Sequence, residues 1–290
     1  MNPVTIANKT TTSPSQLDDL VGDAGAFLFD DWGVRPRSYQ CPTAPGLLTQ
    51  AEIWDMLDCG LLLAPYFSVL TQTGAAMAGV SETRSVQGRP MPSYAKAVSI
   101  RDKVAAGRTL VLHQADHWHI GLNDLAASLR TTLRADVRAA VFVNQTGVKI
   151  AANTEEAHQL ILQLEGRTNW YVSCSPGSDE DSQEVEVALE PGGTLYIPAG
   201  HQYSGTTGDG TSLHVAISVL QPTARDLTEL ALDQFCSGQS AEGIAGSHHL
   251  MTLETKVAWL RAELIDHLTS LDVGALVDEA VTIRQQAGHA

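Results

Sequence analysis

The stretch HQLILQLEGRTNWYVSC, residues 158–174, decides the fold. Leu160, Ile161, Leu162 and Leu164 form a short apolar run too brief for a core helix, Gly166 opens a turn, and NWYVSC resumes with aromatic and β-branched residues. That is the pattern of two strands joined by a tight corner. Working outward, VRAAVFVNQ (137–145), EVEVALEPGG (184–193), TLYIPAG (194–200) and SLHVAISVL (212–220) repeat it. GRTNW and EPGG supply turn chemistry, and SPGSDEDSQ (175–183) reads as a polar, acidic loop tip. Residues 137–220 therefore predict an antiparallel barrel or sandwich core.

The flanks read differently. Residues 1–15 are rich in Thr, Ser, Asn and Pro and predict a mobile lead-in, with order starting near Leu17. TQAEIWDMLDC (49–59) predicts a short amphipathic helix with Thr49 as N-cap and Glu52 completing a capping box. Residues 72–93, rich in Gly, Pro and Ser, predict a long surface loop. Arg108–His113 suits a strand, and Leu125, Leu129 and Leu133 mark a helix over 123–133. Beyond Pro222 three helical segments follow, at 224–236, 252–271 and 272–286. In the second, Leu253, Val257, Leu260, Leu264 and Leu268 form one apolar stripe. Such a tail docks either on a second copy of the chain or across the barrel of the same chain.

Composition bounds the partners. The 290 residues, 43% hydrophobic and 18% charged, suit an ordinary globular protein with an ample core. With 18 Lys and Arg against 33 Asp and Glu, the formal net charge is -15, which opposes nucleic acid and anionic membranes and attracts a basic peptide. The four cysteines have no zinc-site spacing, and neither a signal sequence nor an apolar run long enough to span a bilayer occurs, so a cytoplasmic location is expected.

Several segments in order resemble the ribosomal-oxygenase (cupin-4) branch of the JmjC cupin-fold proteins: AFLFDDWGVRPRSY (26–39), LLTQAEIWDML (47–57), AAGRTLVLH (105–113), LILQLEGRTNW (160–170), LEPGGTLYIPAGH (189–201) and SLHVAISV (212–219). The resemblance spans about residues 25–221. It implies a mainly β fold with added helices: a double-stranded β-helix, or jelly roll, with N-terminal helices and a C-terminal helical dimerisation segment. The implied domains are a lead-in at 1–15, a JmjC-like cupin domain at 16–221 and a dimerisation domain at 222–290.

Those enzymes hold Fe(II) with a His-x-Asp pair and a later His, and open it to 2-oxoglutarate and O₂. Counted from LQLEGR, the pair falls on Asn153 and Glu155, and the third ligand on Tyr203, or on His201 if the turn is two residues shorter. The basic residue that holds the distal carboxylate of 2-oxoglutarate falls on Thr168. None of the ten histidines has an acidic residue two positions later. The resemblance thus implies a degenerate metal motif and a barrel pocket repurposed for a peptide or small metabolite, with no cofactor. Asn153, Thr168 and His214 would contact the ligand. Catalysis is left open; Glu155 and His201 are the candidate acid and base, with Tyr203 as hydrogen-bond donor. The alternatives are an Fe(II)/2-oxoglutarate oxygenase with rearranged ligands Glu155, His201 and His214, and a non-catalytic dimeric binding scaffold.

Outside that frame, HQADHWH (113–119) places three imidazoles and a carboxylate together. It reads either as an unrelated metal site or as a strand–helix junction with Asp116 as the cap. His248 and His249 form an exposed pair in a loop, and His214 sits within an apolar strand as either a ligand or a core histidine.

Overall fold

The computed structural model describes residues 13–71, 74, 75, 77–177, 184–238 and 251–287. His248, His249 and most of the lead-in lie outside the described residues. The chain forms two compact units, one of residues up to Thr132 with Val137–Leu220, the other of Leu133–Asp136 with Gln221 onward.

The first unit is a jelly roll. One sheet of eight strands runs β1 (Arg37–Gln40), β12 (Gly193–Ile197), β9 (His158–Glu165), β14 (Ser212–Leu220), β7 (Asp136–Asn144), β6 (Thr109–Leu112), β2 (Phe67–Thr71) and β3 (Gly74–Ala75). A second sheet of four runs β11 (Glu184–Leu189), β10 (Thr168–Pro176), β13 (His201–Thr207) and β8 (Lys149–Thr154). Ile161, Leu195 and Ile197 of the first meet Trp170, Val172 and Leu189 of the second in one apolar core. Strand β9 is buried on both faces, which explains why apolar residues Leu160, Ile161, Leu162 and Leu164 fall on both of them.

Pairing fixes which side chains look inward. Ile161 lies opposite Leu195 on one side and Ala216 on the other, so Gln159 and Gln163, and with them Ser218 and His214, share that inner face. In the small sheet Trp170 lies opposite Gly205, and Val172 opposite Tyr203, which in turn faces Asn153. The corner between β9 and β10 needs Gly166. Its φ is +67°, and a Cβ there would stand 2.1 Å from the Thr211 carbonyl oxygen.

Short helices precede the barrel: α1 (Leu17–Val21), α2 (Ala24–Asp30) and α3 (Gln50–Cys59), whose Thr49 and Glu52 make the capping box that the sequence predicts. Then come α4 (Ala97–Ala105) and α5 (Ile120–Leu133).

Two local readings are corrected. Instead of a long loop, residues 81–95 form a hairpin, β4 (Ser81–Val86) and β5 (Arg89–Ala95), turning at Gln87 and Gly88, both with positive φ. Most of its residues are exposed, so no apolar alternation announced it. Asp116 is also not a helix cap. His119 caps α5, its Nδ1 accepting from Leu122 N–H at 3.2 Å. Asp116 is buried, paired to Arg130 and accepting the Ala139 N–H at 3.0 Å.

The second unit holds α6 (Ala224–Ser237), α7 (Leu253–Ser270) and α8 (Val273–Ala287). Ala231 and Phe235 of α6 and Ala280 and Val281 of α8 are buried, and Arg284 donates to Asp226 at 2.8 Å. Helix α7 buries no residue; its stripe is open, with Leu253 75% and Val257 65% exposed. Among the described residues no helix is long and apolar enough to cross a membrane.

Candidate functional site

Strands β8 and β13 place the candidate residues. Asn153 lies directly opposite Tyr203, and its Nδ2 donates to Glu155 Oε1 at 2.6 Å and to the Tyr203 hydroxyl at 3.3 Å. Its Oδ1 accepts the Thr154 N–H at 2.9 Å. Both ends of the Asn153 amide are therefore engaged. Burial, and secondarily the Glu155 charge, push the Tyr203 phenol up to about 12, so it stays protonated and able to donate.

His201, two residues before Tyr203, shares its face of β13. It is buried, and its Nδ1 lies 2.8 Å from the Ser173 carbonyl oxygen, which only accepts. The Nδ1 thus carries a proton, and in the neutral ring the lone pair is on Nε2. Its neighbour His158 has the other tautomer. His158 Nδ1 accepts the Ala199 N–H at 3.3 Å and lies 2.8 Å from the Tyr196 hydroxyl, which itself accepts the Gly33 N–H. Trp32 stacks on the His158 ring at 4.1 Å.

The other two candidates lie away from this group. Thr168 is buried, its Oγ1 2.9 Å from Ser212 Oγ. His214 is buried between Phe142, stacked at 4.9 Å, and Trp170, edge-on at 5.4 Å. So Asn153, Glu155 and Tyr203 form one network with His201 on the same strand face, and Thr168 and His214 do not join it. Among the described residues no three His, Cys, Asp or Glu side chains are grouped to hold a metal ion, so Glu155, His201 and His214 are not assembled as a triad. Nor is HQADHWH. His113 Nε2 bonds Ser68 Oγ at 2.8 Å, His117 lies beside Tyr66, and His119 serves as the cap.

Two cavities of the barrel unit went unread in the sequence. One, of about 490 Å³, is lined by Pro65, His113, Gln114, Arg138, Ala140 and Ser218. The other, of about 590 Å³, is lined by Leu70, Arg108, Phe142, Asn144, Lys149 and Ile150, among others. The available signal was the alternation of β7, where Arg138, Ala140, Phe142 and Asn144 occupy every second position.

The half-buried His158 and the buried His214 make stability depend on acid. Burial, with His201 adding to it, lowers His158 to about 4, and burial lowers His214 to about 3. Above pH ~6.5 both rings are neutral whether folded or not. As pH falls from ~6.5 towards 4, the unfolded chain takes up protons that the fold refuses, so stability declines, at most by ~1.4 kcal/mol per unit of depression. Denaturant titrations at pH 7 and pH 5 should show this loss, and His214→Phe should flatten it. An unchanged slope in that variant would mean that His214 is not held neutral.

The fold has known counterparts. The family model described as the JmjC domain matches residues 113–227, from the end of β6 into α6. That stretch is similar to a JmjC domain. Over 188 residues the chain is 29% identical to the bifunctional lysine-specific demethylase and histidyl-hydroxylase NO66 of Culex quinquefasciatus, covering 57% of this chain and 27% of that one. It thus spans about a quarter of that relative's length. The structure of YcfD, a ribosomal oxygenase from Escherichia coli, superposes with a TM-score of 0.55 at 16% identity, covering 86% of this chain and 67% of that one. YcfD in complex with cobalt and 2-oxoglutarate gives 0.53 at 16% identity, covering 85% and 66%. At such identity the likeness is one of fold.

Proposed function

We propose that the JmjC barrel has been repurposed to bind, and if catalytic to modify, a peptide or small metabolite in the cytoplasm without the Fe(II)/2-oxoglutarate site. The carrying observation is the Asn153 amide, tied to Glu155, Tyr203 and Thr154 N–H at the position to which the resemblance assigns the first metal ligand. An amide, a carboxylate and a phenol do not make the two-imidazole, one-carboxylate facial triad of non-haem Fe(II) oxygenases. The same groups suit hydrogen bonding: the Glu155 carboxylate accepts, the Tyr203 hydroxyl donates, and His201 Nε2 has a lone pair. Calorimetry tests the reading. With Fe(II) present, 2-oxoglutarate should bind no more tightly than without it, and the purified protein should hold no stoichiometric iron. Tight, Fe(II)-dependent binding would overturn the proposal.

One observation favours a second reading, an oxygenase that keeps 2-oxoglutarate binding. The 590 Å³ cleft has two cations, Arg108 and Lys149, among its lining residues in a chain of net charge -15. A solved relative in fold is named as a complex with cobalt and 2-oxoglutarate. The same calorimetry distinguishes the readings, because this one requires a metal-dependent signal.

The partner proposed for the helical unit is a second copy of the chain. The open stripe of α7 supports it, since exposed apolar rows of this length mark association surfaces. Light scattering at micromolar concentration should find a dimer, and Leu260→Asp should give a monomer of unchanged helicity. A monomeric parent protein refutes the assignment and leaves the non-catalytic dimeric scaffold without support.

A further inference from the structure

Of five buried polar side-chain atoms with no hydrogen-bond partner among the described protein groups, Thr194 Oγ1 lies opposite Leu162 on the other face of the sheet, and four belong to the barrel interior: Asn144 Nδ2, Gln163 Oε1, Trp170 Nε1 and His214 Nδ1. None of these residues is more than 2% exposed. They belong to one neighbourhood. Gln163 and His214 lie directly opposite each other between β9 and β14, and Trp170 meets the His214 ring edge-on at 5.4 Å. Phe142 stacks on the other side of that ring at 4.9 Å, and Asn144, two residues further along β7, shares the Phe142 face.

Their hydrogen-bonding characters are complementary. Gln163 Nε2 donates to the Glu165 carbonyl at 2.8 Å and to Ser212 Oγ at 2.8 Å, which fixes the amide orientation and leaves Oε1 as an acceptor. Asn144 Oδ1 accepts from Thr109 Oγ1, which leaves Nδ2 as a donor. The indole N–H of Trp170 only donates. His214 is kept neutral by burial, so one of its ring nitrogens bears a lone pair. With that lone pair on Nδ1, the set is two donors and two acceptors. A cation would be opposed by the N–H groups and an anion by the lone pairs. Burial of all four residues excludes a bulky guest. A single water, which accepts twice and donates twice, matches the set, and native interiors satisfy such groups in this way.

We propose that one structural water is bound inside the barrel, accepting from Trp170 Nε1 and Asn144 Nδ2 and donating to His214 Nδ1 and Gln163 Oε1. It ties β7, β9, β10 and β14 together behind Phe142, whose side chain and that of Asn144 line the 590 Å³ cleft. This assignment stands whether or not the barrel binds a metabolite, since it concerns the interior rather than the residues of the pocket rim.

The test uses the full chain in solution. Rotating-frame exchange spectra should show a dipolar cross-peak between water and the Trp170 indole proton. Water-¹⁷O relaxation dispersion should count one fewer long-lived water in Trp170→Phe and in His214→Phe than in the parent. Absence of the cross-peak in the parent overturns the proposal, and that measurement decides alone if either variant fails to fold. A folded His214→Phe protein with the parent's water count overturns it as well, because the water would then not need the imidazole. A direct indole-to-imidazole hydrogen bond, seen as a scalar coupling between the two rings, overturns it too.

Discussion

The combined substitutions Asn153→His, Glu155→Asp and Tyr203→His should raise affinity for Co(II) or Fe(II) by about 100-fold or more, since loss of a single outer-shell partner already costs 10–100-fold in such sites. The register supplies the reason. Residues 153 and 203 face each other across the β8–β13 pair, and residue 155 reaches back to 153 through the 2.6 Å hydrogen bond. Two imidazoles and a carboxylate at these positions would converge on one face of a rigid sheet. The present Asn153 and Tyr203 supply an amide and a phenol there. Removing the phenol also frees the space it fills against Trp170, 6.1 Å between ring centres. Calorimetry with each metal, and elemental analysis of the purified variant, check the gain. If the triple variant binds metal no better than the parent, the pocket has been reshaped beyond its ligands. The variant with only Asn153→His and Glu155→Asp should gain less, because Tyr203 still occupies the third position.

How much of this was legible depended on burial. Strand β9 stood out because both its faces are covered, whereas β8 (KIAANT) is half polar, β13 (HQYSGTT) is mostly polar, and neither gave a periodic signal. The candidate site lies on those two strands. Its residues were reached by counting offsets from the recognisable corner at LQLEGR, and in the structure Asn153 and Tyr203 are paired across β8 and β13. Counting could not show that the Asn153 amide is tied to both neighbours, or that His201 is turned to the Ser173 carbonyl, because those contacts join strands far apart in sequence. Thr168 and His214 were placed with the ligand by analogy. In the fold Thr168 is buried against Ser212, and His214 lies between a stacked Phe142 and an edge-on Trp170. The hairpin at 81–95 was lost for the converse reason: with most of its residues exposed, nothing required apolar alternation.

Asp116→Ala should destabilise the barrel unit by about 3 kcal/mol, a fall in Tm of about 6–12 °C for a domain of this size. In HQADHWH the carboxylate looks like a metal ligand or a cap, but it holds two elements together. One oxygen pairs with the Arg130 guanidinium of α5 and the other accepts the Ala139 N–H of β7. The alanine variant would leave that N–H buried without a partner and Arg130 short of its counter-charge. The loss is tempered because Arg130 also donates to the Val137 carbonyl at 2.6 Å and its side chain remains 26% exposed. Asp116→Asn should cost roughly half as much, since the amide oxygen can still accept from Ala139 while the charge pairing is gone. Thermal melts of the two variants separate these contributions. Equal losses would mean that the ion pair alone matters, and no loss in either would mean that neither contact of Asp116 supports the barrel. Because Ala139 sits between Arg138 and Ala140, which both line the 490 Å³ cavity, loosening its N–H should also alter that cavity, so a ligand bound there would be lost in Asp116→Ala before the fold is.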